Sequence, residues 1–422
     1  MTQKKETSLS PSGGEGRGEG ISQRVQWRGP LTLPSPPEGE RASPGFGIYV
    51  HWPFCAAKCP YCDFNSHVRA HVDEAAWVEG IARELEYVAQ LQGDARPVVS
   101  TIFFGGGTPS LMSGRAVGSV LDTIARLWPR ANDVEITLES NPASADAARF
   151  ADYRSAGVNR LSLGVQALND ADLKALGRLH DVAEAKAALK LAQKNFDRVS
   201  LDLIYARSGQ SVEAWRAELA EALAFDTEHL SLYQLTIEPA TPFALLHKTG
   251  ALTIPGDDLA ASLYETTQEL TEAAGHPAYE ISNHARPGAQ ARHNLLYWRY
   301  GSYAGVGPGA HGRLELGAKR FATSTERLPE RWRDAVTRNG HGFIEQSEIA
   351  PADAVREHLL MNLRLAEGLD LAAYRARWGT APASTRIAEL VDEGLLRLDG
   401  DHLIATPRGR LVLNAVIAAL AD

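Results

Sequence analysis

Six short apolar runs, over residues 47–52, 100–105, 135–141, 160–166, 199–205 and 230–237, are rich in Val, Ile, Leu, Tyr and Phe. Amphipathic windows such as 74–91, 116–128 and 181–194 lie between them. Runs of that length read as buried strands, and the spacing of apolar positions between them reads as crossover helices. Repeated strand–helix units bury both faces of a parallel sheet, so the expected fold class is α/β, a partial (β/α)6 barrel of the TIM type. In that architecture the site forms at the carboxyl ends of the strands. The polar and glycine residues at those ends therefore carry the functional reading.

The flanks differ in character. Residues 1–45 hold eight Gly and six Pro, with Trp27 as their aromatic, which predicts a disordered low-complexity tail. The barrel is expected over 46–285, a connecting region over 286–350, and a small winged-helix-like domain over 351–422, where helices at 354–365, 371–377, 385–393 and 410–420 surround a hairpin at 395–404. That last segment carries eight Arg, no Lys and ten Asp or Glu. It lacks the basic footprint of a nucleic-acid reader, so contact with protein is expected instead. The net charge of −9 for the whole chain points the same way. The polar start MTQKKETSLS and the lack of a long apolar run predict a cytoplasmic protein without a membrane span. Contact with a membrane-bound acceptor is compatible with that reading.

All three cysteines lie within eight residues, in Cys55-Ala-Ala-Lys-Cys59-Pro-Tyr61-Cys62. An odd number so closely spaced cannot be a disulfide framework. Three thiolates at this spacing fit an iron–sulfur cluster with one iron left open to an outside chelator. The alternative is zinc, with His51 or His67 as a fourth ligand, although structural zinc sites use paired elements spread across a loop.

The triad, its aromatic Tyr61 and the preceding Tyr49-Val-His-Trp-Pro-Phe54 resemble the signature of the radical S-adenosylmethionine superfamily. Within it they resemble the branch that contains oxygen-independent coproporphyrinogen III dehydrogenase and the heme chaperones. The resemblance runs from about residue 46 to the C-terminus. It implies a 4Fe–4S cluster on Cys55, Cys59 and Cys62, whose open iron takes the amino and carboxylate groups of S-adenosylmethionine. An electron passed to the sulfonium would then release a 5′-deoxyadenosyl radical, which implies an electron-donor partner.

Further positions follow from the resemblance. Gly105-Gly-Gly107-Thr108-Pro109 ends the second run, and glycine there lets backbone approach a ligand. The family's glycine motif places Gly107 and Thr108 at the methionine amine. Glu139, Gln166, Arg178, Asp202, Thr236 and His311 match other cofactor contacts, and Tyr49 and Tyr61 join the same set. One departure is Ala206-Arg207-Ser208-Gly209-Gln210, where relatives have Gly-Leu-Pro-Gly-Gln, so the turn gains a cation.

Two functions fit these residues. Coproporphyrinogen dehydrogenases carry a further cysteine two residues after the triad, where this chain has Phe64. The element His293-Asn294-Leu-Leu-Tyr297-Trp298 matches one characteristic of heme chaperones. A histidine is a common axial ligand of heme iron, and Tyr and Trp pack well on a porphyrin. Equally, His293 suits a structural role beside a packed Tyr–Trp pair. The expectation is a heme chaperone with His293, Tyr297 and Trp298 at the heme, which passes its cargo to an acceptor protein. Oxidative decarboxylation of coproporphyrinogen is the alternative.

Overall fold

The computed structural model describes residues 45–94 and 96–421. The tail expected over 1–45 lies outside the described residues except for Gly45. Six strands, β1 (Phe46–Trp52), β2 (Val99–Gly106), β3 (Arg130–Ser140), β4 (Arg160–Gln166), β5 (Arg198–Tyr205) and β6 (His229–Gln234), pair side by side in that order. Every pairing among them is parallel. Their interior residues Ile48, Val50, Ile102, Phe104, Leu138, Leu163 and Leu201 are fully buried between the barrel interior and the surrounding helices. Each crossover helix starts on a side-chain cap: Asp73 for Glu74–Gln92, Ser113 for Gly114–Leu127, and an Asp181/Glu184 capping box for Val182–Asn195. The sixth strand stops three residues before its expected end. Pro239, which has no N–H, follows closely, and Thr236 falls in the irregular segment between them.

The sheet continues past the six strands. β7 (Asn283–Ala285) adds antiparallel to β6, while β8 (Ser302–Val306) adds parallel to β1. β9 (His311–Leu316), β10 (Lys319–Thr325) and β11 (Phe343–Glu348) follow antiparallel, which makes eleven strands. The region 286–350, expected to be a connecting region, therefore supplies four strands to the barrel sheet. Its glycines conceal this in the sequence. A Cβ at Gly305 would sit only 2.0 Å from the His311 carbonyl oxygen, so the glycine marks two strands in close approach rather than a loop.

The C-terminal part forms its own layer. The helices Pro351–Asn362, Leu371–Trp378 and Ser384–Asp392 pack with three short strands, β12 (Leu369–Asp370), β13 (Leu396–Asp399) and β14 (His402–Ala405). Leu359, Tyr374, Leu390, Leu403 and Val416 make a separate core there. The β13–β14 turn places Gly400 at φ 59°, the left-handed region that suits glycine. The single helix expected at 410–420 is two, Pro407–Leu411 and Leu413–Ala421, which break at Val412. Among the described residues no helix is long and apolar enough to cross a membrane.

Candidate functional site

The cysteine loop leaves the end of β1 and is fastened from several sides. Phe54 and Cys55 pair with His67 and Val68 as a two-residue parallel bridge. Gly107 N–H donates to Trp52 O at 2.7 Å and Thr108 N–H to Phe54 O at 2.8 Å. A Cβ on Gly107 would lie 2.8 Å from Phe54 O, so this glycine exists to let the end of β2 approach the cysteine loop. Thr108 Oγ1 donates to Cys55 Sγ at 3.3 Å, and Cys62 N–H closes a turn onto Cys59 O. From the opposite side Gly177, at φ 70°, packs against Pro60, and Phe243 N–H bonds Pro60 O. Burial pushes the Cys55 and Cys62 thiols above their usual range. Loading iron must therefore displace protons.

All three cysteines line one cavity of about 480 Å³ at the carboxyl ends of the strands. Tyr61, Gly107, Thr108, Glu139, Gln166, Arg178, Asp202 and Thr236 line it too. Arg178 reaches toward Cys59 Sγ and Tyr61 Oη at 3.5 Å each, and Nη2 donates to Gly164 O at 2.9 Å. Gln166 holds φ 75°, a conformation uncommon for a residue other than glycine. Burial, reinforced by the nearby Asp202 charge, pushes Glu139 up to about 8, against the bond it accepts from the Gly106 N–H. Asp202 is likewise held above its usual range by burial, which Ser231, Ser162 and Ser200 oppose as donors. The residues suit a polar, partly cationic ligand next to a metal cluster. Ser140 Oγ and Arg178 Nε are buried without a hydrogen-bond partner on this cavity, as groups that await one would be.

Other expected positions are not brought there. Tyr49 is on β1, its ring beside Phe103 at 6.1 Å and its hydroxyl on His51 Nδ1 at 3.1 Å, and it does not line the cavity. His311 is exposed at the start of β9 and does not line the cavity. His293, Tyr297 and Trp298 sit on the Arg292–Trp298 helix at the amino-terminal half of the barrel. His293 is 1% exposed, with Nδ1 on Thr101 Oγ1 at 2.8 Å and Nε2 on Tyr297 Oη at 2.6 Å. Burial lowers it to about 3, so it stays neutral. In this arrangement neither ring nitrogen is open to iron, and His293 serves to hold its helix against β2.

The zinc alternative meets the same obstacle. His51 uses its second nitrogen on Asn65 O at 2.9 Å, and His67 is engaged by Asn65 Oδ1 and the Arg327 backbone. Among the described residues no trio of His, Cys, Asp or Glu converges on a single ion. A cubane asks for less convergence, since each thiolate binds a different iron.

Ser140, Asn141, Ser162 and Tyr233, outside the set expected from the sequence, also line the cavity. Their place at strand ends was the available signal. The cation gained in the departing turn is used locally. Arg207 is buried and paired with Glu218 at 2.6 Å and Asp172 at 2.9 Å.

Comparison with known proteins agrees with this geometry. Residues 49–221 match the Radical SAM superfamily, and residues 349–412 match the HemN C-terminal domain. The heme chaperone HemW of Escherichia coli is 38% identical over 385 residues, which cover 89% of this chain and 97% of that protein. The radical S-adenosyl methionine domain-containing protein 1, mitochondrial, of Mus musculus is 38% identical over 92% of this chain and 90% of its own. The solved structure of coproporphyrinogen III oxidase (HemN) from Escherichia coli overlays with a TM-score of 0.76 at 20% identity, across 90% of this chain and 91% of that one. At that identity the likeness is one of fold.

Proposed function

The chain belongs to the radical S-adenosylmethionine superfamily, in the family of the heme chaperone HemW, and from that premise we propose that it binds heme and passes it to an acceptor protein. The observation that carries the proposal is identity of 31–38% to curated heme chaperones along nearly their whole length. Phe64 supports it. This residue lines the cavity, 58% exposed, at the position where the oxidase branch carries cysteine.

The cofactors are a 4Fe–4S cluster and S-adenosylmethionine, and heme is the cargo. Cys55, Cys59 and Cys62 are assigned to the cluster. Glu139, Gln166, Arg178 and Asp202 are assigned to the polar groups of S-adenosylmethionine, with Gly107 and Thr108 as the wall that sets the cysteine loop. When bound, the pair supplies one-electron chemistry at the sulfonium. Arg178 offers a cation to a carboxylate, while Glu139 and Asp202 offer acceptors to ammonium or hydroxyl donors. The segment 351–422 is assigned to protein contact, on its charge.

The test is anaerobic reconstitution of the full chain with iron and sulfide, followed by two parallel assays. Heme titration is expected to give a Soret band, and coproporphyrinogen III is expected to remain unconverted. Addition of S-adenosylmethionine is expected to change the electron paramagnetic resonance signal of the reduced cluster. Catalytic decarboxylation of coproporphyrinogen would replace the chaperone reading with the oxidase one.

A further inference from the structure

Behind the cavity a line of hydrogen bonds runs down the barrel interior from Asp202. Ser200 Oγ lies 3.2 Å from Asp202 Oδ1 and 2.7 Å from His229 Nδ1. The other nitrogen of His229 is 2.9 Å from Tyr279 Oη, to which Asn294 Nδ2 donates at 3.4 Å. Ser162 Oγ also meets the carboxylate from β4, at 3.1 Å to each oxygen, and Ser231, whose Oγ lies 3.2 Å from Ser200 Oγ, is a further donor to it. Ser200, His229, Tyr279 and Asn294 do not line the cavity themselves.

The line has a direction. A carboxylate only accepts, and the Asn294 amide enters at the far end as a donor. Burial holds His229 far below its usual range, so the ring is neutral, with one donor and one acceptor nitrogen. Every member is satisfied when donors all point one way. Asn294 donates to the Tyr279 oxygen, the Tyr279 hydroxyl to His229 Nε2, His229 Nδ1–H to the Ser200 oxygen, and the Ser200 hydroxyl to Asp202. Aligned bonds of this kind polarise one another.

We propose that Ser200 and His229, backed by Tyr279 and Asn294, are positioning residues that aim the Asp202 carboxylate into the cavity as an acceptor for the polar hydrogens of S-adenosylmethionine. The proposal rests on the assignment of Asp202 to that cofactor. It also gives the asparagine of the His-Asn-x-x-Tyr-Trp element a task at the opposite end of the barrel, without contact with heme.

The experiment is equilibrium binding of S-adenosylmethionine to the anaerobically reconstituted full chain. Ser200→Ala is expected to weaken binding by about tenfold, the effect of one lost bond to a charged acceptor, with iron content unchanged. Ser200→Thr, which keeps the hydroxyl, is expected to restore the affinity. In an Asp202→Asn background the Ser200→Ala loss should vanish, because the line then ends on a different group. An unchanged affinity in Ser200→Ala, or an equal loss with and without Asp202, overturns the proposal while Asp202 keeps its assignment. If Asp202→Asn itself leaves the affinity unchanged, both the line and the cofactor assignment of Asp202 fall.

Discussion

Single side chains at this site do two jobs that the sequence does not separate. Gly107 stands at the end of β2, where glycine suggests close approach to a ligand. The close approach is to the Phe54 carbonyl, one residue before Cys55. A Gly107→Val substitution would press a branched side chain on backbone, and overpacking of that kind costs about 1–3 kcal/mol. The expected outcome is a chain that retains less than half of the wild-type iron after reconstitution, measured by iron assay. Full iron content with only weakened S-adenosylmethionine binding would show that the loop yields easily. Thr108 is similar, since its hydroxyl bonds a cysteine sulfur. His293 makes the converse point. Its residue type suits iron, but both of its nitrogens are spent in the interior.

Between elements, one buried carboxylate ties the added strands to the barrel. Glu84, on the Glu74–Gln92 helix, accepts from Gly307 N–H and Gly342 N–H at 2.7 Å each and from Trp332 Nε1 at 3.1 Å. Burial pushes it up to about 7 from its usual 4.5, although those donors oppose the shift. The folded chain therefore binds the Glu84 proton more readily than the unfolded chain between those two values. Its contribution to stability is full below pH 4.5 and is lost as pH rises through 7. Glu84→Gln is expected to remove that part of the pH dependence. An amide nitrogen facing N–H donors also leaves one unsatisfied, at a cost of about 1–3 kcal/mol. Denaturant unfolding at pH 5 and pH 8 checks both, and the deficit of the variant should narrow at the higher pH. A deficit equal at both values would mean that Glu84 stays ionised throughout.

For the molecule as a whole, the Arg292–Trp298 helix and the residues just after it join the barrel to the C-terminal layer. Asn362 Nδ2 donates to Trp298 O at 2.8 Å, and Ala366 N–H donates to Tyr279 O at 2.9 Å. Tyr300 is the centre of the joint. Its ring stacks on His358 at 5.1 Å, Arg320 lies over it at 3.9 Å, and its hydroxyl reaches Glu357 at 3.0 Å. The residue is 2% exposed and holds φ 58°, which a bulky side chain adopts only where packing imposes it. Tyr300→Ala is expected to cost about 3–5 kcal/mol. Unfolding followed by Trp fluorescence and by circular dichroism should shift together, since both layers rest on this ring. Separate transitions in the wild type would show two independently stable parts.

The strand–helix rhythm, the cysteine spacing and the polar strand ends were all legible in the sequence. Each depends on local period or on residues close together in the chain, and β4 spans 160–166 as the rhythm predicts. The five further strands were not legible, because short strands set among glycines carry no clear hydrophobic period until their neighbours are known. Nor was the fate of the histidines. Whether an imidazole is open to a metal depends on what occupies its nitrogens. For His51 and His293 the partners Asn65 and Thr101 arrive from 14 and 192 residues away. Residue type sets what a side chain is able to do, while the long-range packing of the barrel determines which of those capacities remains free.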